Sequence, residues 1–203
     1  MKISLEKTFT IQAAAEQAWA LLQDIGSVAA CMPGATISER IDERRYKGAV
    51  AVRFGPANMS FRGEVEIAAI EPSRRTLRLV GRGTDTTGGS GASMDLTARV
   101  DSVDASSSML VGNSEVSLSG KVAAFGARVA DAVAREVLKQ FAANFAAAVQ
   151  ARQASAADTA GGGETGTPAA AAPPPAGTPV NGLALLWGMA VSWLRSLIGL
   201  RGT

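Results

Sequence analysis

The 203-residue sequence has no histidine and a single cysteine, Cys31. Without histidine, Ser–His and Cys–His nucleophile pairs and His-ligated metal sites are excluded. One cysteine cannot form an intrachain disulfide or a thiolate cluster, so nothing here requires an oxidising compartment. Cys31 reads as a small buried hydrophobe. Charge of either sign is also not in excess. Residues 1–152 hold 18 Lys/Arg against 16 Asp/Glu, and the whole chain carries a formal +2. That balance argues against a nucleic-acid partner, which usually meets a basic face or stripe. The first residues, Met1-Lys2-Ile3-Ser4-Leu5-Glu6-Lys7, lack the apolar run and small-residue cleavage site of a secretory leader, so a cytoplasmic location is expected.

What the chain does have is alternation. Ile3, Leu5, Phe9 and Ile11 share one face with Lys7, while Lys2, Ser4, Glu6, Thr8 and Thr10 take the other, the pattern of a half-buried strand. Ala13–Leu22 is rich in helix formers, and Asp24 is placed to cap a second short helix over Ile25–Ala30. Pro33-Gly34 then turns the chain. From Thr36 to Leu118 the period is two. Tyr46, Val50, Val52 and Phe54, then Phe61, Val65 and Ile67, then Leu77 and Leu79, then Met94, Leu96, Ala98 and Val100, and finally Val116 and Leu118 alternate largely with polar residues. Gly55-Pro56, Glu71-Pro72-Ser73, Gly88-Gly89-Ser90-Gly91 and Ser106-Ser107-Ser108 separate the runs, and spacings this short favour antiparallel hairpins. The apolar face needs a cover. Residues 121–150 supply it as one long helix, with Ser119 a candidate cap and Phe125, Val129, Val133, Val137, Phe141, Phe145 and Val149 recurring every four residues. The order β–α–α–β(six)–α predicts an α+β domain over 1–152, a seven-stranded antiparallel sheet wrapped on a C-terminal helix.

Residues 153–182 contain nine Ala, six Gly and five Pro and no aromatic residue, a composition expected of a disordered linker. Residues 183–203 are apolar again and hold two of the three tryptophans. On a helical wheel Leu183, Leu186, Trp187, Val191, Trp193, Leu194, Leu197 and Ile198 lie within one broad arc, with Gly188, Ser192, Arg195 and Ser196 opposite. Eighteen helical residues reach ~27 Å, short of a ~30 Å hydrocarbon core. An amphipathic helix lying in the membrane interface fits the tryptophans and the one-sided polar residues better than a spanning one.

Candidate chemistry is sparse. Glu64 and Glu66 share a solvent face by strand spacing. Gly81-Arg82-Gly83 and Gly88-Gly89-Ser90-Gly91 lack the Gly-Lys-Ser/Thr of a phosphate loop and read as turns. The informative feature is the expected inner face. Met32, Phe54, Met59, Phe61, Leu79, Met94, Met109, Phe125, Val129 and Val133 fall where sheet and helix should meet. Methionine adapts to varied apolar ligands, and a sheet facing an Ala-rich helix can enclose a cavity; a filled core with Met as packing is the alternative.

The element order resembles the START-like helix-grip superfamily. The segments Trp19-Ala20-Leu21-Leu22-Gln23-Asp24, Cys31-Met32-Pro33-Gly34-Ala35, Gly48–Pro56 and Gly120–Arg128 are similar to the CoxG family of carbon monoxide dehydrogenase accessory proteins. The resemblance covers residues 1–150. It implies a lipophilic ligand between sheet and helix, no catalysis, and partnership with a molybdenum carbon monoxide dehydrogenase or a related hydroxylase. It also implies a place on the inner face of the cell membrane and a link to the quinone pool, with menaquinone or ubiquinone as the bound quinone. A ligand-free scaffold and, last, an enzyme acting on a lipophilic substrate are the other readings.

Overall fold

A computed structural model describes residues 1–54 and 57–160, with Phe54 and residues 157–160 by backbone only. The chain divides into two units, Met1–Gly163 and Glu164–Thr203. The fold below belongs to the first, and residues 183–203, where the membrane helix is expected, lie outside the described residues.

The alternating runs are strands. They are β1 (Lys2–Ile11), β2 (Ala35–Arg40), β3 (Arg45–Phe54), β4 (Ala57–Glu71), β5 (Thr76–Asp85), β6 (Ser90–Ser102) and β7 (Ser108–Gly120). They form one antiparallel sheet in the order β1-β7-β6-β5-β4-β3-β2. Every step from β2 to β7 is a hairpin. The crossover from β1 to β2 carries two helices, α1 (Ala15–Leu22) and α2 (Ile25–Cys31). Burial along β1 follows the sequence pattern residue by residue, with Lys7 half-buried on the apolar face opposite Gly112. A charge pointing inward on an edge strand discourages pairing with another sheet.

The Asp24 cap forms as its position predicts. Its carboxylate accepts from Ser27 N at 3.1 Å and Ser27 Oγ at 2.7 Å. It also takes Nη2 of Arg152 at 2.5 Å, which ties α2 to the far end of the last helix. The Ser27 hydroxyl and amide, then Arg152, hold its pKa below the usual aspartate value. Asp24→Ala is expected to lower stability by about 1 kcal/mol, the usual cost of a lost cap. Because its folded pKa is depressed, this contribution is full above the unfolded value. It is lost as pH falls through the lower folded value, so urea titrations of wild type and variant should converge only in acid.

Two expectations change at the long helix, α3 (Gly126–Ala160). It starts five residues later than the pattern suggests. Lys121–Phe125 form a 3-10 turn flanked by Gly120 and Gly126, whose φ values of +68° and +80° break the α-helical path. Ser119 caps nothing; its Oγ donates to Gly91 O at 3.4 Å. At the other end the helix continues through residues 153–160, where a linker is expected. Ala154, Ala156 and Ala157 favour a helix. Gln153 bonds Gln17 of α1, and Ser155 Oγ returns to Ala151 O.

The core sits where α1, α2 and the C-terminal half of α3 meet the sheet. Ile11, Leu21, Leu77, Val100, Phe145 and Val149 are almost wholly buried. Phe141 and Phe145 stack obliquely with centroids 5.6 Å apart. Asn144 Nδ2 donates to Cys31 O at 2.9 Å, and Ser108 Oγ donates to Ala13 O at 2.9 Å, which satisfies polar groups at the sheet–helix seams.

Candidate apolar ligand site

Alternation assigns the inner face strand by strand, and the register joins it across the sheet. One row runs Ile3, Val116, Met94, Gly81, Val65, Tyr46. The next runs Leu118, Ala92, Gly83, Gly63, Gly48. Its three glycines lie side by side on β5, β4 and β3. A Cβ on Gly63 would lie 1.9 Å from Arg82 O, so the backbones approach there more closely than any side chain permits. Beyond this row the β3–β4 hairpin turns over α3. Val52, Met59 and Phe61 pack with Phe125, Val129 and Val133, and Ile3, Val116 and Leu118 from the opposite side of the sheet join the same cluster.

This cluster is separate from the main core, which holds Trp19, Leu79, Leu110, Phe141 and Phe145 with Met32 packed against it. Gly81 and Met94 on the sheet belong to neither. Nor do Ala134, Val137 and Leu138, which share the helix face of Ala130 and Phe141 by spacing. All five are partly accessible. Val50, also an inner-face position, is 37% exposed and marks an opening beside the hairpin.

The ten residues expected to line a cavity therefore divide. Met59, Phe61, Phe125, Val129 and Val133 come together. Met94 lies between the clusters, and Leu79 and Met32 belong to the main core. The side chain of Phe54 lies outside the described residues. Met109 is a correction: it pairs with Thr10 and Asp101 and so faces outward. Its neighbours Ser108 and Leu110 are the inward ones, and period two admits only one parity. Gly81-Arg82-Gly83 is a second correction, because it runs through the interior of β5 rather than forming a turn. Both glycines point inward and Arg82 outward, so the signal was glycine at strand spacing.

Polar groups on this face are few. Asp85 is the one acid on the inner face of the sheet among the described residues; it is 7% exposed and accepts from Thr87 Oγ1 at 2.5 Å. Tyr46 carries the guanidinium of Arg40 over its ring at 5.8 Å. Burial pushes the Cys31 thiol pKa up, which makes it a poor nucleophile. Glu64 and Glu66 stand on the outer face, opposite Lys47 and Arg45. Among the described residues no cluster of His, Cys, Asp or Glu is arranged to hold a metal. The arrangement suits burial of an apolar molecule, not acid–base chemistry.

The family model for the CoxG subunit of carbon monoxide dehydrogenase matches residues 8–150. The chain belongs to the CoxG family. The match spans the sheet, both short helices and α3 to Gln150. No curated protein matches the sequence. Solved structures share the fold. A conserved protein from Geobacillus kaustophilus superposes with a TM-score of 0.66 at 19% identity, over 73% of this chain and 95% of that one. The ZhuI aromatase/cyclase from Streptomyces sp. R1128 gives 0.55 at 18%, over 75% and 96%. A START superfamily protein from Mycobacterium smegmatis gives 0.51 at 15%, over 72% and 97%. The CoxG chain thus has the START-like helix-grip fold expected of it. No helix among the described residues is long and apolar enough to cross a membrane.

Proposed function

We propose that this CoxG protein is a non-catalytic accessory protein of a molybdenum carbon monoxide dehydrogenase or related hydroxylase. In this reading it takes up a quinone, menaquinone or ubiquinone, or a similar lipid between sheet and α3, and links the enzyme to the membrane quinone pool. Residues 183–203 hold it at the inner face of the cell membrane, and the stretch before them lets the domain move between bilayer and enzyme. One observation carries the ligand reading. A belt of partly accessible apolar positions, Gly81, Met94, Ala134, Val137 and Leu138, separates two apolar clusters between sheet and helix. Apolar groups flanked by protein on two sides yet still accessible lack packing partners, and an apolar ligand supplies them. Affinity then comes from area removed from water, at ~25 cal/mol per Å². Support for a non-catalytic role is the lack of histidine and the single, hydrogen-bonded inner-face acid.

The second reading is a ligand-free scaffold that only anchors the dehydrogenase. Leu118, Val122 and Ala130 favour it, because they are buried and well packed within the smaller cluster. Native mass spectrometry and organic extraction of the full chain, purified without detergent, decide between the two. About one quinone or isoprenoid lipid per chain is expected. An empty protein that also refuses added menaquinone and ubiquinone leaves the scaffold. Removing residues 161–203 should abolish vesicle binding and keep the lipid; unchanged vesicle binding would refute the anchor.

A further inference from the structure

Charge is not spread evenly over the domain. Beyond the Gly48–Gly63–Gly83 row the molecule ends in the start of β1, the β3–β4 hairpin, the β5–β6 hairpin, the 3-10 turn Lys121–Phe125 and the first turns of α3. This end holds five bases: Lys2, Arg53, Arg62, Lys121 and Arg128. All five are exposed. Among the described residues none forms an ion pair, and Arg53 donates only to the neutral Asn58 Oδ1 at 3.0 Å. Its two acids are neutralised or hidden. Asp131 pairs with Arg135, and Asp85 is buried under Thr87. Elsewhere in residues 1–152 the thirteen bases and fourteen acids nearly cancel, and Arg45, Lys47, Arg75, Arg78, Arg99 and Arg152 are ion-paired there.

The same end carries the opening. Val50 is exposed although it sits on the inner face, and Val52, Met59, Phe61 and Phe125 remain partly accessible. Apolar side chains ringed by unpaired bases match a bilayer interface, where hydrocarbon lies under anionic headgroups. We propose that this rim, Lys2, Arg53, Arg62, Lys121 and Arg128 around Val50 and Met59, docks on an anionic lipid surface with the opening facing the bilayer. This rests on the lipid-pocket reading, which it deepens by assigning the route of entry. A membrane fits better than an acidic protein. The five bases come from four separate segments and hold no shared fixed geometry, as mobile headgroups allow and a defined carboxylate array does not. Long Lys and Arg stems let the charges reach headgroups while the apolar residues between them go deeper.

Hydrogen–deuterium exchange of the full chain tests this on phosphatidylcholine vesicles with and without phosphatidylglycerol. Anionic vesicles should slow exchange in residues 50–62 and 118–130 and leave residues 71–76 and 101–108 unchanged. Added salt should weaken the effect as the Debye length shortens. R53Q/R62Q/K121Q/R128Q should lose that protection, while R44Q/K139Q, which removes unpaired bases elsewhere, should keep it. Equal thermal midpoints and equal exchange without vesicles establish that the variants fold. Exchange at the rim that ignores vesicles, or responds equally to zwitterionic ones, overturns the proposal. A protected rim on a chain that binds no lipid would uphold docking and refute the pocket reading alone.

Discussion

Gly81→Phe is expected to abolish quinone or lipid uptake while the protein stays folded, with a change in stability of about 1 kcal/mol or less in either direction. Gly81 stands in the middle of β5 between Val65 and Met94. A Cβ there would meet only Met94 Cε at 3.7 Å and Glu64 O at 3.8 Å, both ordinary contacts. The backbone therefore admits a side chain, and its direction is inward, between the two apolar clusters. If that space is open, a phenyl ring fills it. Ring burial then stabilises the fold, and strand residues with side chains also outdo glycine in a sheet. The ligand loses its place, and a drop in uptake of at least ~10-fold corresponds to about 1.4 kcal/mol of lost binding. If instead the belt is closed by its own side chains, the ring overpacks the core and costs 1–3 kcal/mol, typically about 2. Urea unfolding and menaquinone uptake on the same preparation separate the cases. A strongly destabilised variant sinks the cavity; a stable variant that still takes up menaquinone places the ligand elsewhere.

The sheet was readable because each strand has one wet face. Period two located the strands, and the spacing of Ile3, Leu5, Phe9 and Ile11 even placed Lys7 on the correct face. Asp24 was readable because a cap acts locally, through Ser27 three residues on. Parity failed at Met109, where the flanking Ser108 is the buried residue. Its hydroxyl is satisfied by Ala13 O, a contact 95 residues away in sequence that no local pattern shows. The start of α3 was hidden by Val122 and Phe125, which keep an apolar spacing through a 3-10 turn that positive-φ glycines end. Its end was hidden because alanine suits a linker and a helix equally, and Gln153 meets Gln17 only in the fold. Of the site, the apolar composition was legible, and its division into two clusters was not. That division depends on which strands carry glycine at matching register, and register across hairpins is a property of pairs of strands.

Gly63→Ala is the counterpart to Gly81→Phe, and a far smaller side chain is expected to do more damage. The added methyl would sit 1.9 Å from Arg82 O and 2.6 Å from Gly83 Cα. Both are backbone atoms of the neighbouring strand, so no rotamer change relieves the overlap. β4 must move off β5, which strains the ladder that runs from Phe61–Asp85 to Glu71–Thr76. A cost of about 3 kcal/mol follows, at the upper end for an added methyl group. Gly83→Ala provides the scale. Its Cβ would lie 3.2 Å from Arg62 O, a gap that shifts of a few tenths of an ångström relieve, and about 1 kcal/mol is expected. Urea midpoints of the two variants, measured side by side, test the ordering; equal stability of Gly63→Ala and wild type would show that the close approach is absent. Function should fall with the fold. The bend at Gly63 brings Val52, Met59 and Phe61 onto Phe125, Val129 and Val133, and it sets the opening at Val50 within the cationic rim. A hairpin pushed away from α3 leaves those apolar side chains in water and separates Arg53 and Arg62 from Lys121 and Arg128. The folded fraction of Gly63→Ala should therefore lose both lipid retention and rim protection on anionic vesicles, two defects with one cause in the backbone contact between β4 and β5.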